Sequence, residues 1–166
     1  MNTSSEGFQD HFETNKQSWN QRTAIHLKSS FYDVDGFLKG KSSLNDPEVD
    51  LLGDLNGKKV LHLQCHFGLD SLSMARMGAE ITAVDISSEA IEAGSKLAEK
   101  VGINARFIES NIYDLKDVLN EEFDVIFTSY GALPWLPDLN SWGDLITSLL
   151  APGGQFIMVE FHPLCW

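Results

Sequence analysis

The second part of the chain alternates short apolar runs with segments of helical character. The runs occupy residues 59–64, 80–85, 105–110, 123–129 and 154–161 and predict strands. Because helical crossovers separate successive runs, the strands are expected to be parallel in one sheet. Helices then cover both faces of that sheet.

The segments between the runs carry apolar residues at helical spacing. Residues 70–79 predict one helix, and residues 87–102 predict a second that Ser87 or Ser88 caps and Gly102 ends. The later crossovers are residues 114–120, which are short, and residues 139–154, a helix that Pro152 and Gly153 are expected to stop.

Residues 1–57 are more polar and less regular, with scattered aromatic side chains. Residues 11–30 predict one or two helices, whereas residues 31–50, rich in Gly, Asp and Ser, predict a loop. An Asn-Gly pair then predicts a turn before the first strand. We therefore divide the chain into an N-terminal helical and looped extension, residues 1–57, and a ligand-binding domain, residues 58–166.

Composition narrows the class of protein. With 166 residues, 43% of them apolar, the chain is long enough for one domain with a buried core. Its net charge of −12 and lack of a basic run disfavour nucleic acid as a partner. No stretch predicts a membrane helix, and the polar N-terminus has no apolar signal region. We therefore expect a cytoplasmic protein without a membrane partner.

In an open parallel sheet, ligands bind beyond the carboxyl ends of the strands. The loop after the first strand, "QCHFGLD", is the first candidate. Gly68 lets a ligand approach the backbone, and Asp70 lies where the next helix begins with free amides. Asp85 ends the second strand and can accept two ribose hydroxyls, with Ile86 packing on a base. A helix-capping role for Asp85 is the alternative.

The third and fourth strands end at the same edge of the sheet. Asn111 can hydrogen-bond the amine and ring nitrogens of adenine, or it can serve only in a turn. Ser129 and Tyr130 follow the fourth strand and are expected to face the same crevice. Trp135 and Leu136 either wall a substrate pocket or pack against the fourth helix.

The order of these motifs resembles that of class I S-adenosylmethionine-dependent methyltransferases over roughly residues 58–161. "VLHLQCHFG" is similar to the glycine-rich motif I, "AVDIS" to the ribose acid motif and "FIESNIYDL" to the adenine motif. "FDVIFTSYGALPWLPDL" and "LLAPGGQFIMVEF" are similar to the fourth- and fifth-strand motifs. The whole chain, including "HLKSSFYDVDGF", resembles a bacterial subgroup of small-molecule methyltransferases.

The resemblance implies an α/β fold, a Rossmann-like three-layer αβα sandwich with strand order 3-2-1-4-5. It also implies S-adenosylmethionine as cofactor and methyl transfer by in-line displacement to a small-molecule acceptor. No catalytic residue is assigned, although Tyr130, Glu160 and His162 are candidates for a base. The implied cofactor-binding residues are Gln64, Cys65, His66, Gly68, Asp70, Asp85, Ile86, Asn111, Ile112, Ser129 and Tyr130.

The first loop departs from the family pattern, which is acid-x-Gly-x-Gly-x-Gly. His62, Gln64, His66 and Gly68 hold those positions, so only the last glycine is present. We expect the loop to work if Gln64 and His66 adopt ordinary φ values and side chains replace backbone contacts to the methionine end. No arginine is evident there, so His66 or helix amides would meet the cofactor's carboxylate. Asp70 would either lie near the ammonium group of the cofactor or only cap the helix that follows the loop.

Aromatic residues of the N-terminal extension suggest a lid over the cofactor, which would exclude water and complete the site. The alternative is that these side chains simply pack onto the sheet. The candidates for lid or substrate contacts are Trp19, His26, Phe31, Tyr32 and Trp135.

His62, Cys65 and His66, together with His162 and Cys165, raise the alternative of a zinc site. In the strand order above, the fourth strand separates the two groups by roughly 10 Å. Their spacing also lacks the paired two-residue gaps of zinc modules. We therefore predict no metal, with His62 as a core histidine and Cys65 as a small filler.

The sequence ends soon after the fifth strand, where the family continues to a sixth strand and an antiparallel seventh. We expect either a shortened form or a homodimer in which a partner copy covers the sheet edge. Two rival functions stay open. A nicotinamide-dependent oxidoreductase needs Gly-x-Gly-x-x-Gly, which "QCHFGLD" lacks. The other rival is a non-catalytic cofactor-binding or interaction module.

Overall fold

The architecture is a five-stranded sheet with helices in the crossovers, and the computed structural model describes residues 6–162 and 164. The helices are α1 (Gln9–His26), α2 (Val34–Leu38), α3 (Asp46–Leu52), α4 (Leu69–Arg76), α5 (Ser88–Val101) and α6 (Leu139–Leu149). The strands are β1 (Lys59–Leu63), β2 (Glu80–Asp85), β3 (Ala105–Glu109), β4 (Phe123–Thr128) and β5 (Leu150–Met158). Short 3-10 helices span Glu6–Phe8, Ile112–Asp117 and Leu133–Trp135. None of the described helices is long and apolar enough to cross a membrane.

The strands are all parallel and lie in the order β3-β2-β1-β4-β5, as the sequence predicts. Successive side chains of β1 point to opposite faces of the sheet. Val60 packs on one face with Leu52 of α3 and Met74 of α4. Leu61 and Leu63 pack on the other face with α6 and the 3-10 helix that follows β3. The result is the predicted αβα sandwich, with the carboxyl ends of the strands along one edge.

The sequence signals for α5 are confirmed at both ends. The Ser87 hydroxyl accepts a hydrogen bond from the Ala90 N–H at 3.1 Å, so Ser87 is the N-cap. Gly102 follows the last turn in a left-handed conformation, with φ of 69°, as glycine does at many helix ends. This capped helix places Asp85, at the end of β2, close to a helix N-terminus.

The fifth strand differs from its prediction. It spans Leu150–Met158 instead of residues 154–161, because α6 ends at Leu149 and the chain extends at once. Pro152 and Gly153 therefore lie within the strand and do not stop the helix. Among the described strands β5 pairs with β4 alone, and an edge strand tolerates a proline because one row of its N–H groups has no ladder partner.

The N-terminal extension is more helical than its composition suggests. Residues 11–30 fall largely in the single helix α1, and the prediction of a loop over residues 31–50 is wrong, since α2 and α3 form there. The Asp33 carboxylate caps α2 by accepting from Gly36 N–H at 3.1 Å. At α3, Glu48 Oε2 accepts from Asn45 N–H at 2.7 Å, half of a capping box that the Asn-x-x-Glu spacing signals.

Candidate functional site

A cavity of about 760 Å³ opens at the carboxyl ends of β1 to β4. Small-molecule sites commonly have volumes of about 300–1,000 Å³. The lining includes residues of the loop between β1 and α4, of α1 and of the segment around α2. All the residues predicted for the cofactor and the lid line it, His26 excepted. They are Gln64, Cys65, His66, Gly68, Asp70, Asp85, Ile86, Asn111, Ile112, Ser129, Tyr130, Trp19, Phe31, Tyr32 and Trp135.

Three residues of the loop between β1 and α4 have a left-handed backbone, although only one of them is a glycine. The φ angle is 55° at Gln64, 52° at His66 and 68° at Gly68. The expectation that Gln64 and His66 adopt ordinary φ values is therefore wrong. Backbone bonds hold this shape, because Cys65 N–H donates to Val84 O and Gly68 N–H donates to Cys65 O, each at 2.9 Å. A left-handed non-glycine residue costs about 1–2 kcal/mol, and such strain is often found at functional sites.

Asp85 lies at the end of β2 with both carboxylate oxygens hydrogen-bonded. Its Oδ2 accepts from His66 N–H at 2.7 Å and its Oδ1 accepts from Ser87 N–H at 2.9 Å. The N-cap of α5 is Ser87, so capping that helix does not account for Asp85. Desolvation raises the pKa of Asp85 to about 6, against these hydrogen bonds. An ionised carboxylate has about four acceptor positions, so Asp85 can accept a further hydrogen bond from a ligand in the cavity.

Asp70 is held by hydroxyl groups from two other parts of the chain. Ser43 Oγ donates to its Oδ1 at 2.7 Å and Ser129 Oγ donates to its Oδ2 at 3.2 Å. Burial raises the pKa of Asp70, and the charge of Glu48 adds to that rise. The N-cap of α4 is Gly68, so the capping alternative for Asp70 is not what forms. The carboxylate instead ties the α2–α3 connection to the first turn of α4 and to the end of β4.

His62 and Cys65 are core residues, as predicted. His62 is buried in β1, with its Nδ1 2.7 Å from Ser71 Oγ and its Nε2 3.5 Å from Ser129 Oγ. Burial lowers the pKa of His62 to about 3, so its ring is neutral. Cys65 is buried as well, and burial raises the pKa of its thiol. A protonated thiol is a poor nucleophile, which agrees with a packing role.

Three residues that follow β3 and β4 line the cavity: the amide of Asn111, the apolar side chain of Ile112 and the phenol of Tyr130. Asn111 Oδ1 accepts from Tyr113 N–H at 3.2 Å and caps the following 3-10 helix, so the turn role proposed as an alternative does form. Ile112 is buried beside it. Burial raises the pKa of Tyr130 to about 12, and the neighbouring Glu48 carboxylate contributes. Tyr130 therefore faces the cavity as a neutral phenol.

Aromatic side chains from α1, from the segment before α2 and from the 3-10 helix Leu133–Trp135 line the cavity. Trp19 meets Trp135 edge to face with ring centroids 5.4 Å apart, and the Arg22 guanidinium lies within 5.4 Å of both ring centroids. Tyr32 packs on Phe67 at 5.0 Å. Phe31, by contrast, is 79% exposed at the cavity mouth. Trp19, Trp135 and Tyr32 therefore pack against neighbouring rings at the cavity, and the role of a lid stays a prediction.

The remaining candidates for a base or a metal ligand lie elsewhere. The Glu160 carboxylate accepts backbone N–H bonds from Gly131, Ala132 and Leu133, so it has a structural role. His162 is exposed, and Cys165 lies outside the described residues. Across residues 6–162 and 164, no three His, Cys, Asp or Glu side chains are grouped so that they could hold a metal ion.

Two contacts of the site were not foreseen. Ser43 lies in the segment predicted as a loop, and no local pattern connects it with Asp70, 27 residues away. The bond between His26 Nδ1 and His66 Nε2, at 2.9 Å, joins α1 to the loop after β1. Both contacts arise from tertiary packing. The Asn-x-x-Glu spacing at Asn45 was the one local signal that this part of the extension is ordered.

Comparison with protein families identifies the central part of the chain. Residues 60–154 match the family model described as a methyltransferase domain. The ubiquinone biosynthesis O-methyltransferase of Erwinia tasmaniensis is 30% identical over 133 residues, which cover 78% of this chain and 54% of that protein. The protein of the same name from Actinobacillus pleuropneumoniae is 32% identical over 136 residues, covering 77% and 58%. The chain thus spans about half the length of these curated relatives.

Solved structures share the fold. An S-adenosylmethionine-dependent methyltransferase from Clostridium acetobutylicum superposes with a TM-score of 0.60 at 20% identity, covering 87% of this chain and 56% of the other. The PH0226 protein of Pyrococcus horikoshii superposes with a TM-score of 0.64 at 25% identity, covering 80% and 56%. Magnesium protoporphyrin IX methyltransferase from Synechocystis, solved with bound S-adenosylmethionine, has a TM-score of 0.59 at 18% identity, covering 84% and 72%.

Proposed function

Since the chain belongs to the class I S-adenosylmethionine-dependent methyltransferase family, we propose that its cavity binds S-adenosylmethionine and that the methyl group passes to a small-molecule acceptor. The observation that carries this proposal is the position of Asp85. Its carboxylate ends β2, lines the cavity and keeps acceptor positions beside the loop from β1. That is where dinucleotide and related folds hold a ribose.

Unpaired polar atoms in the loop support the fit of this cofactor. Gln64 Oε1 and His66 Nδ1 are buried without a hydrogen-bond partner, and buried polar groups normally have one. Both residues line the cavity. The methionine end of S-adenosylmethionine carries an ammonium group and a carboxylate, which can partner an oxygen acceptor and a ring N–H respectively. At Gly68, an added Cβ would lie 2.5 Å from Phe107, so the loop also needs its remaining glycine.

Each part of the cofactor has a proposed partner. Asp85 would accept the two ribose hydroxyls, and Ile86 and Ile112 would flank the adenine, with Asn111 at its polar edge. Asp70 and Gln64 would face the ammonium group. The methionine end of the cofactor would also contact the backbone near Cys65 and Gly68, the His66 ring, and Ser129 and Tyr130.

When bound, S-adenosylmethionine would supply an electrophilic methyl group: the acceptor would bond to the methyl carbon as the bond from that carbon to sulfur breaks, with S-adenosylhomocysteine as the leaving group. The protein's own part is to align the two reactants and exclude water. The rings of Trp19 and Tyr32, in the proposed lid of residues 1–57, would perform the second task together with the Trp135 ring. Tyr130, as a neutral phenol, can orient an acceptor by hydrogen bonding but is a poor base at neutral pH. No residue is assigned as a catalytic base.

The acceptor is proposed to be a small molecule, in line with the names of the relatives. The net charge of −12 argues against nucleic acid as a substrate. We expect the protein to act in the cytoplasm. A homodimer stays a prediction. The partner copy would cover the edge strand β5, where Phe156 and Met158 are 37% and 44% exposed.

Methyl transfer is the experiment that tests this function. The protein is incubated with methyl-labelled S-adenosylmethionine and a panel of small phenols, amines and thiols, and S-adenosylhomocysteine is measured. We expect acceptor-dependent product with at least one chemical class, and much less with Asp85→Ala at the same concentration of S-adenosylmethionine. Tight cofactor binding with no transfer to any class would instead favour the non-catalytic module.

A further inference from the structure

An imidazole pair joins the N-terminal helix to the cofactor loop. His26, the last residue of α1, has its Nδ1 2.9 Å from Nε2 of His66. The two rings meet edge to face, with centroids 5.1 Å apart and planes at 84°. His66 also lines the cavity, whereas His26 lies behind it. A contact of this kind lets a residue outside the cavity control one inside it.

Packing fixes both rings in place. The Trp19 ring lies 5.3 Å from that of His66 and 6.1 Å from that of His26. The Tyr32 ring lies 5.6 Å from His66 and 5.0 Å from His26. Phe67 packs on the His66 ring at 4.3 Å. These contacts restrict tilting of either imidazole out of its present plane, which keeps the two nitrogens within hydrogen-bonding distance.

The proton in this bond decides what His66 presents to the cavity. Burial lowers the pKa of His66 to about 3, with the neighbouring His26 adding to the effect, so the ring is neutral and carries one N–H. If His66 donates through Nε2, its Nδ1 is a bare acceptor. If His26 donates through Nδ1, the proton of His66 must lie on its own Nδ1. That Nδ1 is the buried atom without a partner.

Charges around the loop favour the second arrangement. Asp70, Asp85 and Gln64 Oε1 line the same cavity as His66 and are acceptors when the two carboxyls are ionised, and Asp85 accepts from the His66 backbone N–H at 2.7 Å. Among the Lys and Arg residues of the described chain, Lys41 alone lines the cavity, and it pairs with Asp33 at 2.7 Å. A cofactor carboxylate at this loop would therefore need a neutral donor. A bare Nδ1 on His66 would add one more acceptor and repel it.

We propose that His26 is a positioning residue that donates its Nδ1–H to His66 Nε2, so that His66 presents Nδ1–H to the carboxylate of S-adenosylmethionine. The inference rests on the proposed function for the identity of the ligand. It makes the docked α1 helix part of the cofactor site, since His66 presents this N–H when His26 is in place. A metal ligand often has its tautomer set in the same way by the partner of its second ring nitrogen.

Two ligands separate this role from a purely structural one. S-adenosylmethionine and its decarboxylated analogue are titrated calorimetrically into the wild type, His26→Ala and His26→Asn. We expect His26→Ala to weaken S-adenosylmethionine binding about tenfold, as for one hydrogen bond to a charged group, and to leave the analogue unchanged. His26→Asn, whose amide can still donate, should retain most of the wild-type affinity. Lys16→Ala is the matched control on α1, because it removes an ion pair with Glu109 but leaves the imidazoles intact.

Nitrogen-15 NMR identifies the tautomer of His66 without any bound ligand. In the protein without ligand, histidine labelled with nitrogen-15 should show His66 as the Nδ1–H tautomer. His26→Ala should shift it toward a mixture with the Nε2–H form. This readout does not depend on the identity of the cofactor.

Three outcomes would overturn the inference. One is an equal loss of affinity for both ligands in His26→Ala, which indicates general damage to the loop. Another is an Nε2–H tautomer for His66 in the wild type. The third is a folded wild type with the expected tautomer that binds neither ligand, which would reject the proposed function and the carboxylate contact with it.

Discussion

Replacing Asp85 with alanine is expected to weaken S-adenosylmethionine binding about a hundredfold or more. Two hydroxyl donors to a charged acceptor contribute about 1.5–3 kcal/mol each, and every 1.4 kcal/mol corresponds to about tenfold in affinity. The substitution also removes the acceptor for His66 N–H at 2.7 Å, which loosens the strained loop. Calorimetric titration at pH 7.5 measures the change.

Glu80→Ala is the matched control, because Glu80 is an exposed acid at the opposite end of the same strand. It should bind as the wild type does. Loss of affinity in both variants, or in neither, would contradict the assignment of Asp85 to the ribose.

The same carboxyl predicts how binding depends on pH. Because the pKa of Asp85 is raised to about 6, the ionised acceptor is present above that pH and is lost as pH falls through it. Affinity should be full near pH 7.5 and should fall by up to about tenfold per unit below pH 6. His66, with a pKa of about 3, stays neutral across this window. In Asp85→Asn the part of the decline due to this group should disappear.

Gly68→Ala is expected to have the largest effect on the loop itself. The φ of 68° strains any side chain, and a Cβ would lie 2.5 Å from Cε1 of Phe107. That ring also fits closely against Gly94, where a Cβ would meet Cε1 at 2.5 Å, so its room to move is small. Strain and overpacking together should lower the free energy of unfolding by about 2–5 kcal/mol. The affinity for the cofactor should fall by more than about tenfold.

Gly102→Ala separates the two causes. Gly102 has a φ of 69°, nearly that of Gly68, but an added Cβ there would meet no atom within 4 Å. It should cost only the backbone strain, about 1–2 kcal/mol, and leave binding intact. Urea unfolding of both variants provides the comparison. Equal destabilisation would mean that Phe107 yields and that packing at Gly68 is unimportant.

Much of the fold could be predicted because local patterns and tertiary structure agree. The alternation of apolar runs and helical segments places β1 to β4 within a residue or two of their observed bounds. Ser87 and Gly102 are found where the capping rules put them. At β5 the rule that proline ends a helix gave the wrong start, because pairing with β4 extends the chain from Leu150.

The details of the site depend on contacts that no local pattern encodes. The left-handed backbone at Gln64 and His66 opposes their intrinsic preference and is held by bonds to β2 and within the loop. The hydroxyl of Ser43 reaches Asp70 across 27 residues of sequence, and His26 reaches His66 across 40. Sequence reasoning identified the residues at the strand ends because topology alone gathers them at one edge. It missed the partners that determine their protonation and orientation.

Titration of the wild-type protein with S-adenosylmethionine, beside NADH, is the most direct test of the central claim. The cavity, the Asp85 carboxylate and the unpaired atoms of the loop predict stoichiometric binding of S-adenosylmethionine in the micromolar range and no heat with NADH. Absence of S-adenosylmethionine binding to well-folded protein, or binding of NADH in its place, would contradict the account.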